Sequence, residues 1–424
     1  MTRAPEVIVL GTGAADGWPS PFCECLSCED MRTRHRVRTP TAALLDDHIL
    51  IDAGPTVPSA VARAGRSLRA VHHVLVTHAH PDHLDPALLL WLQWNPTPHT
   101  LHVWGPSAVV RACRDWIGPH TPVELHEVAP GDELTLPTPS GTYVTRVIGA
   151  RHEGCTPDAV AAEAVIYDVA TPSGGRVLYA TDTGLVDDVA PVRDAAYDVI
   201  LIEETFGDHV DHGTGHLDLA TLPVMLDRLE AAGARTDATQ VVAVHLGHHN
   251  PPEAILRDRL AAWGVRLVDD GTVIGAPRRE LILGGARSGK SREAERRALA
   301  FAEVTYVATA AERPGDDEWA ARVEMHRSRR PSHWRTAEGP ESLLPALREA
   351  QPGTAVLVDC LTLWLTGVLD AASPDWEDTA ALAVGAQEAT KDLIDAIGAC
   401  RATVILVSNE VGMGVVPATR SGRL

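Results

Sequence analysis

A chain of 424 residues is longer than one hydrophobic core usually supports, and at 45% hydrophobic residues it can bury more than one core. Its formal net charge of −20 repels a phosphate backbone and so argues against a nucleic-acid partner, while small anionic substrates held by metal ions remain compatible. No stretch approaches the roughly 20 apolar residues of a membrane-spanning helix, and the start MTRAPEVIVLGTG lacks the charged and apolar regions of a signal peptide, so a cytoplasmic protein is expected.

In chain order, the first expected element is a strand at Glu6–Leu10, running into Gly11-Thr12-Gly13. The thiols Cys23, Cys25 and Cys28 follow, three of the seven cysteines, at a spacing that in a cytosolic chain suggests metal more than disulfides. Ala43–Asp52 and Ala70–Thr77 are apolar runs that end in polar residues, the pattern of a strand feeding a functional loop. Further strands are expected at Ala164–Val169, Arg176–Ala180, Val199–Ile202 and Val241–His245, with a helix over Leu217–Ala232. Around Gly271–Glu280 one strand closes and another, Leu281–Leu283, opens a second domain, giving boundaries of 1–276 and 280–424. In that second part Lys290 to about Ala302 reads as a helix, and Ala355–Val358 and Thr403–Val407 as buried parallel strands.

The second of the apolar runs delivers His78, His80, Asp82 and His83 within six positions, where a tight turn can aim all four inward. Imidazole nitrogen and carboxylate oxygen suit Zn²⁺, Mn²⁺ or Fe²⁺, and a pair of such ions needs about this many ligands plus a bridging carboxylate, for which Asp182 stands at the end of a strand. A two-metal centre of this kind points to hydrolysis.

HxHxDH after an apolar strand resembles the metallo-β-lactamase superfamily over residues 1 to about 276. The resemblance implies an αββα sandwich in which His78, His80 and His152 hold one metal, Asp82, His83 and His245 hold the other, and Asp182 is shared. His245 is preferred to its neighbour His249. Within the superfamily, Cys23-Glu24-Cys25-Leu26-Ser27-Cys28 is similar to the phosphonate-pathway cyclic-phosphate phosphodiesterases, which implies a structural zinc completed by His248. That likeness also assigns a proton-donating role to His216, in a segment that opens a helix, with His209 and His212 as rivals.

Gly284-Gly285-Ala286-Arg287-Ser288-Gly289-Lys290-Ser291 fits GxxxxGK[ST] between an expected strand and helix. Its backbone amides would cradle phosphates, Lys290 would reach the β- and γ-phosphates of GTP or ATP, and Ser291 would ligate Mg²⁺. Lysine occurs only at Lys290 and Lys391, which makes a chance lysine in this loop improbable. With TYVATA, the segments Ala321–Arg327 and Arg330–Thr336, and Asn409–Pro417, the loop resembles the adenosylcobinamide kinase / adenosylcobinamide-phosphate guanylyltransferases across 280–424. The resemblance implies a P-loop α/β domain with a mostly parallel sheet and adenosylcobinamide as a substrate. It further implies a guanylylated histidine at His326, with His333 as local rival, and assembly into a homo-oligomer. Asp359 occupies the position of a Mg²⁺-associated acid, where that family often has glutamate.

Against the family the chain stops early, at Ser421-Gly422-Arg423-Leu424, so the second domain is expected to be C-terminally incomplete. The leading expectation is a fused enzyme of the corrinoid pathway: a dinuclear phosphoester hydrolase acting on a small molecule, joined to a kinase and guanylyltransferase. One alternative is an active hydrolase whose second domain only binds nucleotide. Another, a tRNA-processing nuclease, is disfavoured by the acidic balance.

Overall fold

Val7 and Val9 point one way from the first strand and Ile8 and Leu10 the other, and all four are buried, so this strand is covered on both faces. That single fact calls for two sheets packed face to face with helices outside. The computed structural model describes residues 5–152, 164–275, 279–285, 288–299, 301, 303–310, 330–351, 353–400 and 402–410. It divides into two compact units, Met1–Gly275 and Ala276–Leu424.

The strands of the first unit are β1 (Glu6–Gly11), β2 (Ala42–Leu45), β3 (Ile49–Ile51), β4 (His73–Leu75), β5 (Leu101–Gly105), β6 (Val123–Glu127) and β7 (Glu133–Thr138). They continue with β8 (Gly141–Gly149), β9 (Val165–Ala170), β10 (Arg176–Ala180), β11 (Val199–Glu203), β12 (Gln240–Val244), β13 (Val265–Leu267) and β14 (Thr272–Gly275). Its helices are α1 (Leu26–Thr33), α2 (Val57–Arg63), α3 (Ala87–Trp94), α4 (Ser107–Arg114), α5 (Thr221–Ala231) and α6 (Glu253–Ala262). One mixed sheet has the order β14-β1-β2-β3-β4-β5-β6 and the other β13-β12-β11-β10-β9-β8-β7.

Alternate residues of each sheet divide between layers. Val7, Val9, Leu45, Ile51, Leu75, Val169, Tyr179, Leu201 and Val244 fill the space between the sheets. Ile8, Leu44, Val74 and Val103 pack outward against α2, α3 and α4, and Ile200, Ile202, Val241 and Ala243 against α5 and α6. The result is the αββα sandwich, and among the described residues no helix is long and apolar enough to cross a membrane.

The run Ala43–Asp52 is two strands, a correction to its reading as one. Asp46 and Asp47 adopt left-handed backbone at φ +49° and +62°, and the chain folds back so that Ala43 pairs with Ile51. A short carboxylate side chain tolerates that conformation, and two such residues in succession twist a hairpin correctly. The expected helix over Leu217–Ala232 starts only at Thr221; just before it Asp218 Oδ1 accepts hydrogen bonds from the Ala220 and Thr221 amides and holds the segment in a turn.

Parallel pairing sets where chemistry can sit. β3 runs parallel to β4 in one sheet, and β10, β11 and β12 run parallel to one another in the other, so their carboxyl ends open on loops that meet. Gly54 lets one of these loops close in, since a Cβ there would lie 1.8 Å from the Asp82 carbonyl oxygen. On the same unit Arg38, only 2% exposed, pairs with Glu253 at the start of α6 and donates to Thr12 Oγ1 at 2.8 Å.

In the second unit a fully parallel sheet has the order β15-β19-β18-β16-β17, formed by β15 (Arg279–Gly284), β16 (Val304–Ala308), β17 (Arg335–Glu338), β18 (Ala355–Asp359) and β19 (Thr403–Asn409). Around it lie α7 (Lys290–Ala298), α8 (Leu343–Glu349), α9 (Leu361–Ala372) and α10 (Thr379–Ala399).

Burial pushes the Glu253 carboxyl up, but the Arg38 guanidinium outweighs it and holds the group below the usual carboxylate range. A depressed folded value means that this pair stabilises the fold at neutral pH and that the contribution fades as pH falls below the ordinary glutamate range. Glu253→Ala, which removes the nearer of two carboxylates paired with a buried guanidinium and leaves Asp269 at 3.5 Å, should cost up to roughly 3–5 kcal/mol in denaturant unfolding at pH 7. The difference from the parent protein should shrink on acidification.

Candidate metal centre

Asp52, Asp182 and His245 each follow a strand end and each sits in left-handed backbone, at φ +61°, +49° and +55°. Non-glycine residues adopt that region at a cost, and the turn it makes aims each side chain across the mouth of the sandwich instead of along it. The loop after β4 supplies His78, His80, Asp82 and His83 from the facing sheet, and His152 follows β8.

The ligand atoms of His78, His80, His152 and Asp182 lie within 4.8 Å of one another, as do those of Asp82, His83 and His245. The two Asp182 oxygens divide between the groups. Oδ1 is 3.8 Å from His78 Nε2 and 3.9 Å from His152 Nε2, while Oδ2 is 3.0 Å from His83 Nε2 and 3.3 Å from His245 Nε2. Asp82 Oδ2 completes the second group at 2.9 Å from His83 Nε2 and 3.5 Å from His245 Nε2.

The outer atoms of the rings are fixed by the protein. His83 Nδ1 donates to Asp52 Oδ2 at 2.7 Å, His78 Nδ1 to Thr77 Oγ1 at 3.0 Å, His245 Nδ1 to Thr205 Oγ1 at 2.9 Å, and His152 Nδ1 to the Gly215 carbonyl at 3.2 Å. Those tautomers turn Nε2 inward; the Nε2 atoms of His78, His80, His83 and His245 are buried without a directed hydrogen bond, while His152 Nε2 lies 3.3 Å from His80 Nδ1. Burial opposes ionisation of Asp182, yet His245 and His83 outweigh it and hold the carboxyl well below the usual range. Burial keeps His78 neutral, with His83 adding to the effect. Burial opposes charge on His83, but Asp182 and Asp52 outweigh it and push that ring well above the ordinary imidazole range, and a cation drawn to the same carboxylates would take the place of its proton. Ionised carboxylates and inward-facing imidazole nitrogens form a donor set that fits divalent metal ions.

Two buried carboxylates outside the expected set organise this shell. Asp52 accepts from the Thr77 amide at 2.8 Å and the Tyr179 hydroxyl at 3.0 Å as well as from His83. Glu203, with no exposed surface, accepts from Thr205 Oγ1 at 2.6 Å, the Leu217 amide at 3.1 Å, the Thr183 amide and His216 Nδ1 at 3.1 Å. Each ends an apolar strand, at Ile49-Leu50-Ile51-Asp52 and Val199-Ile200-Leu201-Ile202-Glu203, the same signal that marked Asp182.

Among the rival histidines, His216 faces the centre, 4.7 Å from His152 and 5.5 Å from His245 between ring centroids. Burial disfavours its charge, but Glu203 beside it prevails and pushes the pKa up to about 9, so the ring carries a proton at neutral pH. His212 is engaged by Asp218 at 3.1 Å and stacks on Phe206, and His209 stacks on His249.

Cys23, Cys25, Cys28 and His248 form a further group. His248 Nδ1 lies 3.4 Å from Cys23 Sγ and 4.0 Å from Cys25 Sγ. Burial raises the Cys25 thiol, but the Cys28 amide and His248 outweigh it and bring it down to about 7, while burial pushes Cys28 up to about 12.

In the second unit Lys290 Nζ donates to the Gly285 carbonyl at 3.1 Å and Gly289 takes φ +88° where α7 begins. Ser291 Oγ donates to Asp359 Oδ1 at 3.2 Å, and the Tyr306 hydroxyl donates to Asp359 Oδ2 at 2.7 Å. Gly284, Gly285 and Ser288 lie on the same loop, whereas Ala286, Arg287 and His326 fall outside the described residues.

Fold and site together define a metallo-β-lactamase-fold domain fused to a P-loop domain. Residues 47–246 match the β-lactamase superfamily domain, and residues 280–424 match cobinamide kinase / cobinamide phosphate guanyltransferase. The bifunctional adenosylcobalamin biosynthesis protein CobP of Pseudomonas aeruginosa is 51% identical over 141 residues, which are 33% of this chain and 75% of that protein. Through this segment the chain belongs to the cobinamide kinase / cobinamide phosphate guanyltransferase family. The first unit shares its fold with Zn(2+)-bound PqqB from Methylobacterium extorquens (19% identity, TM-score 0.52, covering 63% of this chain and 99% of that one). It is also similar to a diphosphatase from the PhnP family (20% identity, TM-score 0.50, covering 64% and 97%).

Because Asp52 orients His83 without being a ligand itself, Asp52→Asn should weaken divalent-metal affinity by about 10–100-fold, read by competition with a chromogenic chelator. Unchanged affinity would remove Asp52 from this role.

Proposed function

We propose that residues 1–276 are a dinuclear phosphodiester hydrolase acting on a small molecule, and that residues 280–424 phosphorylate and guanylylate the cobinamide side chain. The observation that carries the hydrolase reading is the division of the Asp182 oxygens between two groups of inward-facing Nε2 atoms. Two ions there, zinc or manganese, would lower the pKa of water and neutralise charge on a phosphoryl oxygen. His78, His80 and His152 hold one and Asp82, His83 and His245 the other, with Asp182 shared. His216, held protonated by Glu203, gives its proton to the departing alkoxide. Cys23, Cys25, Cys28 and His248 hold a structural zinc that stiffens the loop carrying His245.

In the second domain Lys290 and the loop amides bind the phosphates of GTP or ATP, and Ser291 with Asp359 holds their Mg²⁺. His326 is the nucleophile that carries the guanylyl group. A cytoplasmic setting suits both halves of this reading.

Asp182→Ala should abolish hydrolysis of bis-p-nitrophenyl phosphate, and a thioester hydrolysed faster than that diester would refute the substrate class. His216→Ala should lower kcat by about 10²–10⁴-fold for an alkyl leaving group, which needs protonation, and far less for p-nitrophenolate. An equal loss on both would make His216 a structural residue.

The two roles of the second domain should separate by mutation. Lys290→Ala should cripple both phosphorylation of adenosylcobinamide and use of GTP, whereas His326→Ala should abolish acid-labile labelling by α-labelled GTP and spare some phosphorylation. Labelling of His326→Ala at the parental level would move the nucleophile to His333 or elsewhere.

A further inference from the structure

His102 on β5 and His126 on the edge strand β6 bring imidazoles together away from the centre above, with Glu124 between them in sequence. His102 Nδ1 lies 3.0 Å from His126 Nε2 and 3.4 Å from Glu124 Oε2, and His126 Nε2 lies 3.9 Å from the same oxygen. A tetrahedral ion with ligand bonds of about 2.0–2.2 Å sets its ligand atoms roughly 3.3–3.6 Å apart, and the three observed separations straddle that edge. Parallel pairing imposes the arrangement, since His102 lies opposite Glu124 and Trp104 opposite His126 in the ladder.

Both rings are backed by fixed aromatic groups. Trp104 stacks on His126 at 3.9 Å between centroids and His73 stacks on His102 at 5.2 Å. His73 is in turn locked, with Nε2 donating to the Pro137 carbonyl at 3.0 Å and Nδ1 accepting from Trp104 Nε1 at 3.2 Å. The Glu124 carboxylate is exposed and offers an entry path.

We propose that His102, Glu124 and His126 form a separate site for one late first-row divalent cation, zinc foremost, with an open fourth position toward solvent. Two imidazoles and one carboxylate favour such an ion over Ca²⁺ or Mg²⁺, which prefer all-oxygen shells. Nothing in the hydrolase chemistry uses these residues.

The test is equilibrium dialysis of the full chain against buffered zinc, followed by elemental analysis. His126→Gln and Glu124→Gln should each bind one zinc ion fewer per chain than the parent at a free concentration that fills the parent, with turnover of bis-p-nitrophenyl phosphate unchanged. In the parent protein, zinc should also protect His102 and His126 from acylation by diethyl pyrocarbonate, a readout that needs no variant. Equal zinc content in parent and variants, or acylation of both histidines undiminished by zinc, would overturn the proposal.

Discussion

Five imidazoles and two ionised carboxylates crowd one end of the sandwich, and a cation there needs the inward nitrogens of those five rings free of protons while the outward ones are anchored. A buried imidazole with no outward acceptor could place its proton on either nitrogen, and a proton facing the centre would exclude a cation. Asp52, Thr77, Thr205 and the Gly215 carbonyl remove that freedom for four rings. The strand register, the left-handed turns and the close approach permitted by Gly54 all serve to hold these acceptors in place.

Glu203 links the centre to His216. Through Thr205 it braces His245, and directly it favours the charged form of His216, so a single buried carboxylate orients one ring of the centre and supplies the countercharge of another. Its own acceptor capacity is filled by the Thr183 and Leu217 amides, which explains how a glutamate with no exposed surface is tolerated in a core. The Cys23 cluster works on the neighbouring segment, where His248 follows His245 by three residues.

The second unit applies a different logic to anions. A glycine in left-handed backbone starts α7 a few residues beyond a parallel strand, and a helix start of this kind is suited to an anion. Ser291 and Asp359 come together from separate elements, across the helix start and the end of β18, which gives the acid a hydroxyl partner in place before any ligand arrives.

Local chemistry was readable in the order of residues. HxHxDH after an apolar strand, CxCxxC, and GxxxxGKS between strand and helix each confine their groups to one turn, so spacing alone brings them together. Partners far apart in the chain had no such signal. Asp52 and Glu203 read as ordinary strand ends, the Asp46-Asp47 hairpin lay hidden inside one apolar run, and residue type did not separate His216, preferred there on family likeness, from His209 and His212. Only tertiary structure decided among them, because hydrogen bonds across 25 to 40 positions, as between Asp52 and Thr77 or Thr205 and His245, depend on which strands pair and which faces they bury. The sandwich, by bringing the carboxyl ends of strands from both sheets to one rim, made His216 the ring that faces the centre and gave His102 and His126 a common carboxylate.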